Sequence, residues 1–219
     1  MTKIVVDVSV SVDGFLAGPN ATHEQPLGAG GDTLHEWAFA TRRFREQHGL
    51  EGGEDGADSE VVDERLRATG ATVMGRRMFS GGEGPWEDDP NAGGWWGDDP
   101  PFHHPVFVLT HHQREPAVKE GGTTFTFVTD GIEAALALAR DAAGEKDVAV
   151  AGGANVIQQY LYAGLVDELQ LHIAPVLLGG GVSLFGGGPG ELVRLVRSRV
   201  IESPGVAHLG YSIAPSTTG

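Results

Sequence analysis

No cysteine occurs in the 219 residues, so the chain can form no disulfide and offers neither a thiolate nucleophile nor a thiolate metal ligand. Positive charge is also scarce. Fifteen Lys and Arg stand against thirty Asp and Glu, a formal net charge of −15, which repels nucleic acid and anionic membranes and favours a small-molecule partner. Long apolar runs are missing as well: nothing approaches the roughly 18 residues a membrane helix needs, and the first apolar segment meets Asp7 and Asp13 too early for a secretory signal. These absences predict a cytoplasmic protein with no membrane or nucleic-acid partner.

Glycine, by contrast, is abundant at 34 residues, and it punctuates an alternation of strand and helix patterns. Residues 4–12, IVVDVSVSV, alternate as a strand and end at the turn dipeptide Asp13-Gly14. Residues 17–31 read as a long loop, and Thr33-Leu34-His35-Glu36 has the form of a capping box opening a helix to about His48. An acidic glycine-rich loop, expected to be flexible, spans about 49–58; a helix at 59–69 and a strand at 71–75 follow. A long Gly- and Trp-rich loop covers about 80–104. Strands are predicted at 105–110 and 124–128, and a helix opens at Asp130 to Glu133, again with capping-box form. The run 166–178 is a further strand, and strands at 195–202 and 207–214 flank Ser203-Pro204-Gly205 as a hairpin. The pattern predicts one α/β domain over 1–219, a three-layer α/β/α sandwich on a mostly parallel sheet with a C-terminal antiparallel hairpin.

One junction stands out. Residues 148–156, VAVAGGANV, run from a short apolar strand through Gly152-Gly153 into helical spacing at Val156, Ile157, Tyr160 and Leu161. At such a junction the first helical N–H groups lack intrahelical acceptors, and glycine lets a ligand reach the backbone, an arrangement suited to phosphate and equally to a plain steric turn. His103–His104 and His111–His112 are adjacent pairs whose members face opposite ways on a strand, so no metal site is expected.

Met74-Gly75-Arg76-Arg77-Met78-Phe79 after a strand, Val106 to Thr110, Ala151-Gly152-Gly153-Ala154-Asn155 before a helix, and Gly164-Leu165-Val166-Asp167-Glu168-Leu169 leading to Pro175-Val176-Leu177-Leu178-Gly179-Gly180-Gly181 together resemble the dihydrofolate reductase-like family. The nearer likeness is to its bacterial branch containing the reductase domain at the C-terminus of bifunctional riboflavin biosynthesis enzymes. The resemblance implies a homodimer and NADPH lying across the carboxyl ends of the parallel strands. Gly75, Arg76, Arg77 and Thr110, with His111 beside Thr110, would serve the phosphates and the adenosine ribose, and Gly152, Gly153, Ala154 and Asn155 the pyrophosphate. On that reading, replacing Arg76 and Arg77 by Ala weakens NADPH binding and leaves the fold intact. Met78 departs from dihydrofolate reductases proper, which often carry threonine there.

A reduction needs a hydride and a proton. Asp32 and Glu36, at the expected start of the first helix, and Asp13, in an Asp-Gly turn like that of the riboflavin-type reductases, are the candidate acids; Trp37 is a candidate substrate contact or a core residue. The resemblance implies an NADPH-dependent reductase of a pterin- or pyrimidine-type heterocycle. The alternatives are a nucleotide- or pterin-binding protein without turnover and a purely structural domain, with the apolar run 169–178 as an interface strand.

Overall fold

The computed structural model describes residues 2–186, 188 and 192–214. In chain order the strands are β1 (Ile4–Ser11), β2 (Phe15–Ala17), β3 (Thr69–Gly75), β4 (Pro105–Leu109), β5 (Ala117–Val118), β6 (Thr124–Val128), β7 (Asp147–Gly152), β8 (Glu168–Ala174), β9 (Val182–Ser183), β10 (Leu195–Glu202) and β11 (Ala207–Ile213). The helices are α1 (Glu36–Ala40), α2 (Arg42–Gln47), α3 (Ala57–Ala68), α4 (Arg76–Ser80), α5 (Ile132–Ala143) and α6 (Ala154–Tyr162).

A nine-stranded sheet runs β10-β11-β8-β1-β7-β3-β4-β6-β5, and β2 pairs separately with β9. The strands from β8 to β6 are mutually parallel, and β10–β11 closes one edge as an antiparallel hairpin. The alternation in β1 explains its central place. Ile4, Val6, Val8 and Val10 join the core under α5 and α6, while Asp7 and Ser9 face the layer carrying α1 and α3. Ile4, Val6, Val148 and Val150 have no exposed surface, and each such side chain stabilises the fold by about 2 kcal/mol.

The second outer layer is only partly helical. Trp37, Val61, Val62 and Val206 form a core between the α1–α3 layer and the hairpin, but over β4 and β6 the cover is aromatic loop. Phe79 meets Trp86, Phe125 and Phe127 edge-on, and Trp96 and Phe102 pack beside them. Loop 81–104 therefore replaces a helix, which is why it carries three tryptophans.

Local cues misplace several helix boundaries. In place of one helix over 33–48 the chain forms a 3₁₀ turn (Gly31–Leu34), α1 and α2. The Thr33 hydroxyl donates to the Gly30 carbonyl instead of closing a capping box, and Thr41, with extended backbone, accepts from Phe44 N (3.2 Å) and caps α2. Gly131 precedes α5 with no side-chain cap, so that expected capping box is absent too. The acidic loop is tied down: Arg42 N donates to Glu54 O (2.8 Å), Glu54 N to Ala40 O (2.8 Å), and the Arg42 guanidinium pairs with Asp55. No helix among the described residues is long and apolar enough to cross a membrane.

Candidate functional site

The adjacent strands β7, β3 and β4 end together, which brings Gly152, Gly75 and Thr110 side by side at the carboxyl ends of the parallel strands. Gly75 is pressed against the start of α6. A methyl on it would lie 2.9 Å from Val156 Cγ2 and 3.7 Å from Gly152 O and Gly153 N, so a larger residue would push the strand end off the helix. Gly152 has φ +136°, a region L side chains rarely adopt, and its peptide bond to Gly153 is cis. Gly153 caps α6 without a side chain, and the space where its Cβ would project is open.

Val156 N and Ile157 N both bond to Gly153 O. The N–H groups of Ala154 and Asn155 come before the first intrahelical donor, Val156 N, so they and the helix dipole are available to an anion beside the glycines. Asn155 is exposed, and its Oδ1 accepts from Gln159 Nε2 (2.7 Å). From behind, Gln158 Nε2 donates to Ser183 O and Leu184 O (both 3.1 Å), which fixes α6 relative to β9. Glycine edge and helix start together suit a dinucleotide pyrophosphate.

The two arginines separate. Arg76 is 6% exposed; its Nη2 lies 2.6 Å from Asp89 Oδ2 and its Nη1 donates to Ser80 Oγ (2.8 Å), which donates to Asp89 Oδ2 (2.7 Å). The Trp86 ring covers its guanidinium, with Cζ 3.2 Å from the ring centre, and Nε has no hydrogen-bond partner among the described residues. Burial lowers the Arg76 pKa against the pull of Asp89. This guanidinium is engaged inside the protein and is not presented to a phosphate. Arg77 stands in solvent and pairs with Glu83. Thr110 is buried, and its Oγ1 accepts from His112 N (3.1 Å), closing the turn after β4. Arg114, which the sequence gives no signal for, follows the Thr110 turn, with its guanidinium 4.8 Å from the Trp86 ring centre and bonded to the Ala92 carbonyl.

At the end of β1, the exposed Asp13 carboxylate accepts from Leu178 N (3.1 Å) and Gly179 N (2.8 Å), joining the β1–β2 turn to the loop after β8. The Ser11 hydroxyl and these backbone N–H groups hold its carboxyl below the usual carboxylate range. Asp32 lies exposed in the 3₁₀ turn and Glu36 exposed on the first turn of α1. Trp37 is interior: its Nε1 donates to Ser9 Oγ (2.9 Å), and its ring lies 4.7 Å from that of His172 and 4.8 Å from that of His208. The structure thus gathers Gly75, Thr110 and Gly152 to Asn155, places Asp13 at the end of β1, and keeps Asp32, Glu36, Trp37 and Arg76 out of that cluster.

His35, also missed, is pushed down to about 4 by burial, with Arg65 and His172 adding to the effect against Asp32. His172 had a legible signal, since a histidine on the non-apolar phase of a central strand, in register with Ser9, needs a polar partner. Among the described residues no cluster of three or more His, Asp or Glu is placed to hold a metal ion.

The chain is similar over its whole length to solved structures. A protein of Shewanella sp. PV-4 provisionally assigned to riboflavin biosynthesis matches with 20% identity over 97% of this chain and 99% of that one, at a TM-score of 0.62. A pyrimidine reductase-like protein of Corynebacterium diphtheriae matches with 15% identity over 98% and 93%, at 0.52. The diaminohydroxyphosphoribosylaminopyrimidine deaminase/5-amino-6-(5-phosphoribosylamino)uracil reductase of Thermotoga maritima matches with 11% identity over 97% of this chain and 57% of that one, at 0.55. These likenesses concern the fold. No curated protein matches the sequence. The family model of the RibD C-terminal domain matches residues 2–206, and the chain belongs to that family.

Proposed function

We propose that the protein is an NADPH-dependent reductase of a small pyrimidine- or pterin-type heterocycle. The observation that carries this reading is the open glycine edge, Gly75 against Gly152-Gly153 at the start of α6, in a chain of the RibD C-terminal domain family. Gly153, Ala154 and Asn155 hold the pyrophosphate on backbone N–H groups, the open side of Gly153 leaves room for it, and Gly75 lets the strand end pack against the helix start. Thr110, Arg77 and Arg114 border the adenosine end, where Arg77 exchanges Glu83 for phosphate. Bound reduced nicotinamide supplies the hydride.

Asp13 is the acid best placed for the substrate end, and its state limits its role. A carboxylate held ionised by Ser11, Leu178 and Gly179 has no proton to give at neutral pH, so it orients a substrate N–H or a water. A second reading has one observation in its favour. Because Asp89 and Trp86 enclose Arg76, the edge has one phosphate ligand fewer than expected, which suits a nucleotide binder without turnover. Absorbance loss of NADPH on adding a panel of pyrimidines and pterins separates the two. Oxidation driven by any of them supports the reductase; NADPH that binds but is never oxidised favours the binder.

A further inference from the structure

Away from the glycine edge, between the sheet and α3, four titratable side chains form an unbroken line. His172 Nε2 lies 3.0 Å from Asp7 Oδ1, His172 Nδ1 lies 2.7 Å from His208 Nδ1, and His208 Nε2 lies 2.9 Å from Asp58 Oδ1. The imidazoles are 3% and 4% exposed, and the Trp37 ring packs on both. The outer ends are also held: Arg65 Nη1 donates to Asp7 Oδ1 (3.1 Å) and the Ser203 hydroxyl to Asp58 Oδ2 (2.9 Å).

Proton counting decides the state of this line. Three hydrogen bonds among four groups need three protons, whereas two neutral imidazoles and two carboxylates carry two. With only two, one of the three contacts would set lone pair against lone pair, and at 2.7 Å the Nδ1–Nδ1 contact would be the worst of them. Burial opposes ionisation of Asp7, but His172 and Arg65 outweigh it and hold the carboxyl far below the carboxylate range, so the extra proton lies on the histidine side of that link. Burial, with His172 adding to it, lowers the His208 pKa against the opposing pull of Asp58 and Asp7, so the extra proton is not held on His208 by its own surroundings but by the shared Nδ1–Nδ1 contact. His35, the other histidine near this group, is neutral at pH 7. A cavity of about 200 Å³ reaches Asp7, His172 and His208 from the amino-terminal end of the strands. Its other charges are the paired Lys3–Glu168 and Arg199–Glu64 and the Asp147 carboxylate, which accepts from Lys3 N (2.9 Å).

We propose that Asp7, His172, His208 and Asp58 form a pH-sensitive latch, which binds one proton beyond its neutral imidazoles to hold α1 and α3 against β1, β8 and β11 and loosens when that proton leaves. The sign follows from linkage. Above about pH 6.5 the unfolded chain carries two protons on these groups and the folded chain three, so stability falls as pH rises; between about 4.5 and 6.5 the unfolded chain carries up to four, so stability falls as pH drops. The latch contributes most near pH 6.5.

Long-range ¹H–¹⁵N spectra of the wild-type imidazoles at about pH 7 test it directly. The latch requires one exchange-protected downfield proton coupled to both the His172 and His208 Nδ1 nitrogens. Two unprotonated Nδ1 nitrogens in the folded protein would overturn it. Denaturant unfolding of wild type and H208Q across about pH 6.5 to 8 gives a second reading. The folding constant of the wild type should fall up to tenfold per pH unit relative to the variant, and parallel profiles would count against the latch. If H208Q does not fold, the wild-type spectra decide alone.

Discussion

Arg76 shares its ion pair and its ring contact with interior groups, whereas Arg77 beside it meets solvent. Sequence reasoning treats them alike because adjacent arginines after a strand end look equivalent until the partner Asp89, thirteen residues on in a glycine-rich loop, is placed. The consequence differs from the sequence-based expectation. Arg76→Ala should destabilise the fold by about 3 kcal/mol or more, since Asp89 is left as a buried carboxylate without its cation; Arg77→Ala should leave the melting temperature unchanged and weaken NADPH binding. Thermal melts beside nucleotide titrations check both, and an Arg76→Ala protein of wild-type stability would contradict the first. At the same scale, His35 at about 4 predicts an acid limb. Its folded value lies below the unfolded ~6.5, so stability present above about pH 6.5 is lost as pH falls towards 4, by about 3 kcal/mol at most. Urea unfolding of His35→Phe should show a shallower loss over that window.

Among the elements, those whose period is set by their own side chains were readable. Residues 124–128 were placed without error because apolar and threonine positions alternate as the strand does, and the hairpin was placed by Ser203-Pro204-Gly205. The break at Thr41 was not, because the Gly30 carbonyl takes the Thr33 hydroxyl, a competition invisible in a four-residue motif. Nor was α4, whose five residues are too few to show a period. The start of α6 was legible as a glycine junction, and its role is open to a two-signed test. Asn155→Asp places a negative charge on the first turn of a helix, where it should keep or raise the melting temperature. The same charge should weaken NADPH binding about tenfold, since it meets the pyrophosphate. Weaker binding with a lowered melting temperature would mean a damaged helix instead.

For the molecule as a whole, the nine-stranded sheet between its two outer layers leaves the glycine junction at the strand ends and the edge strand β10 exposed. Leu195 (40% exposed), Val196 (55%) and Val200 (48%) lie on β10, which pairs on one side only among the described residues. We propose that this hairpin joins two copies: light scattering should give twice the chain mass for wild type and the chain mass for Val196→Lys. The glycine junction at the strand ends is probed by calorimetric titration with NADPH and then NADH. Saturable 1:1 binding is expected, with a preference for NADPH from Arg77, Arg114 and the Thr110 turn. Absence of binding by either nucleotide would contradict the assignment of the glycine edge.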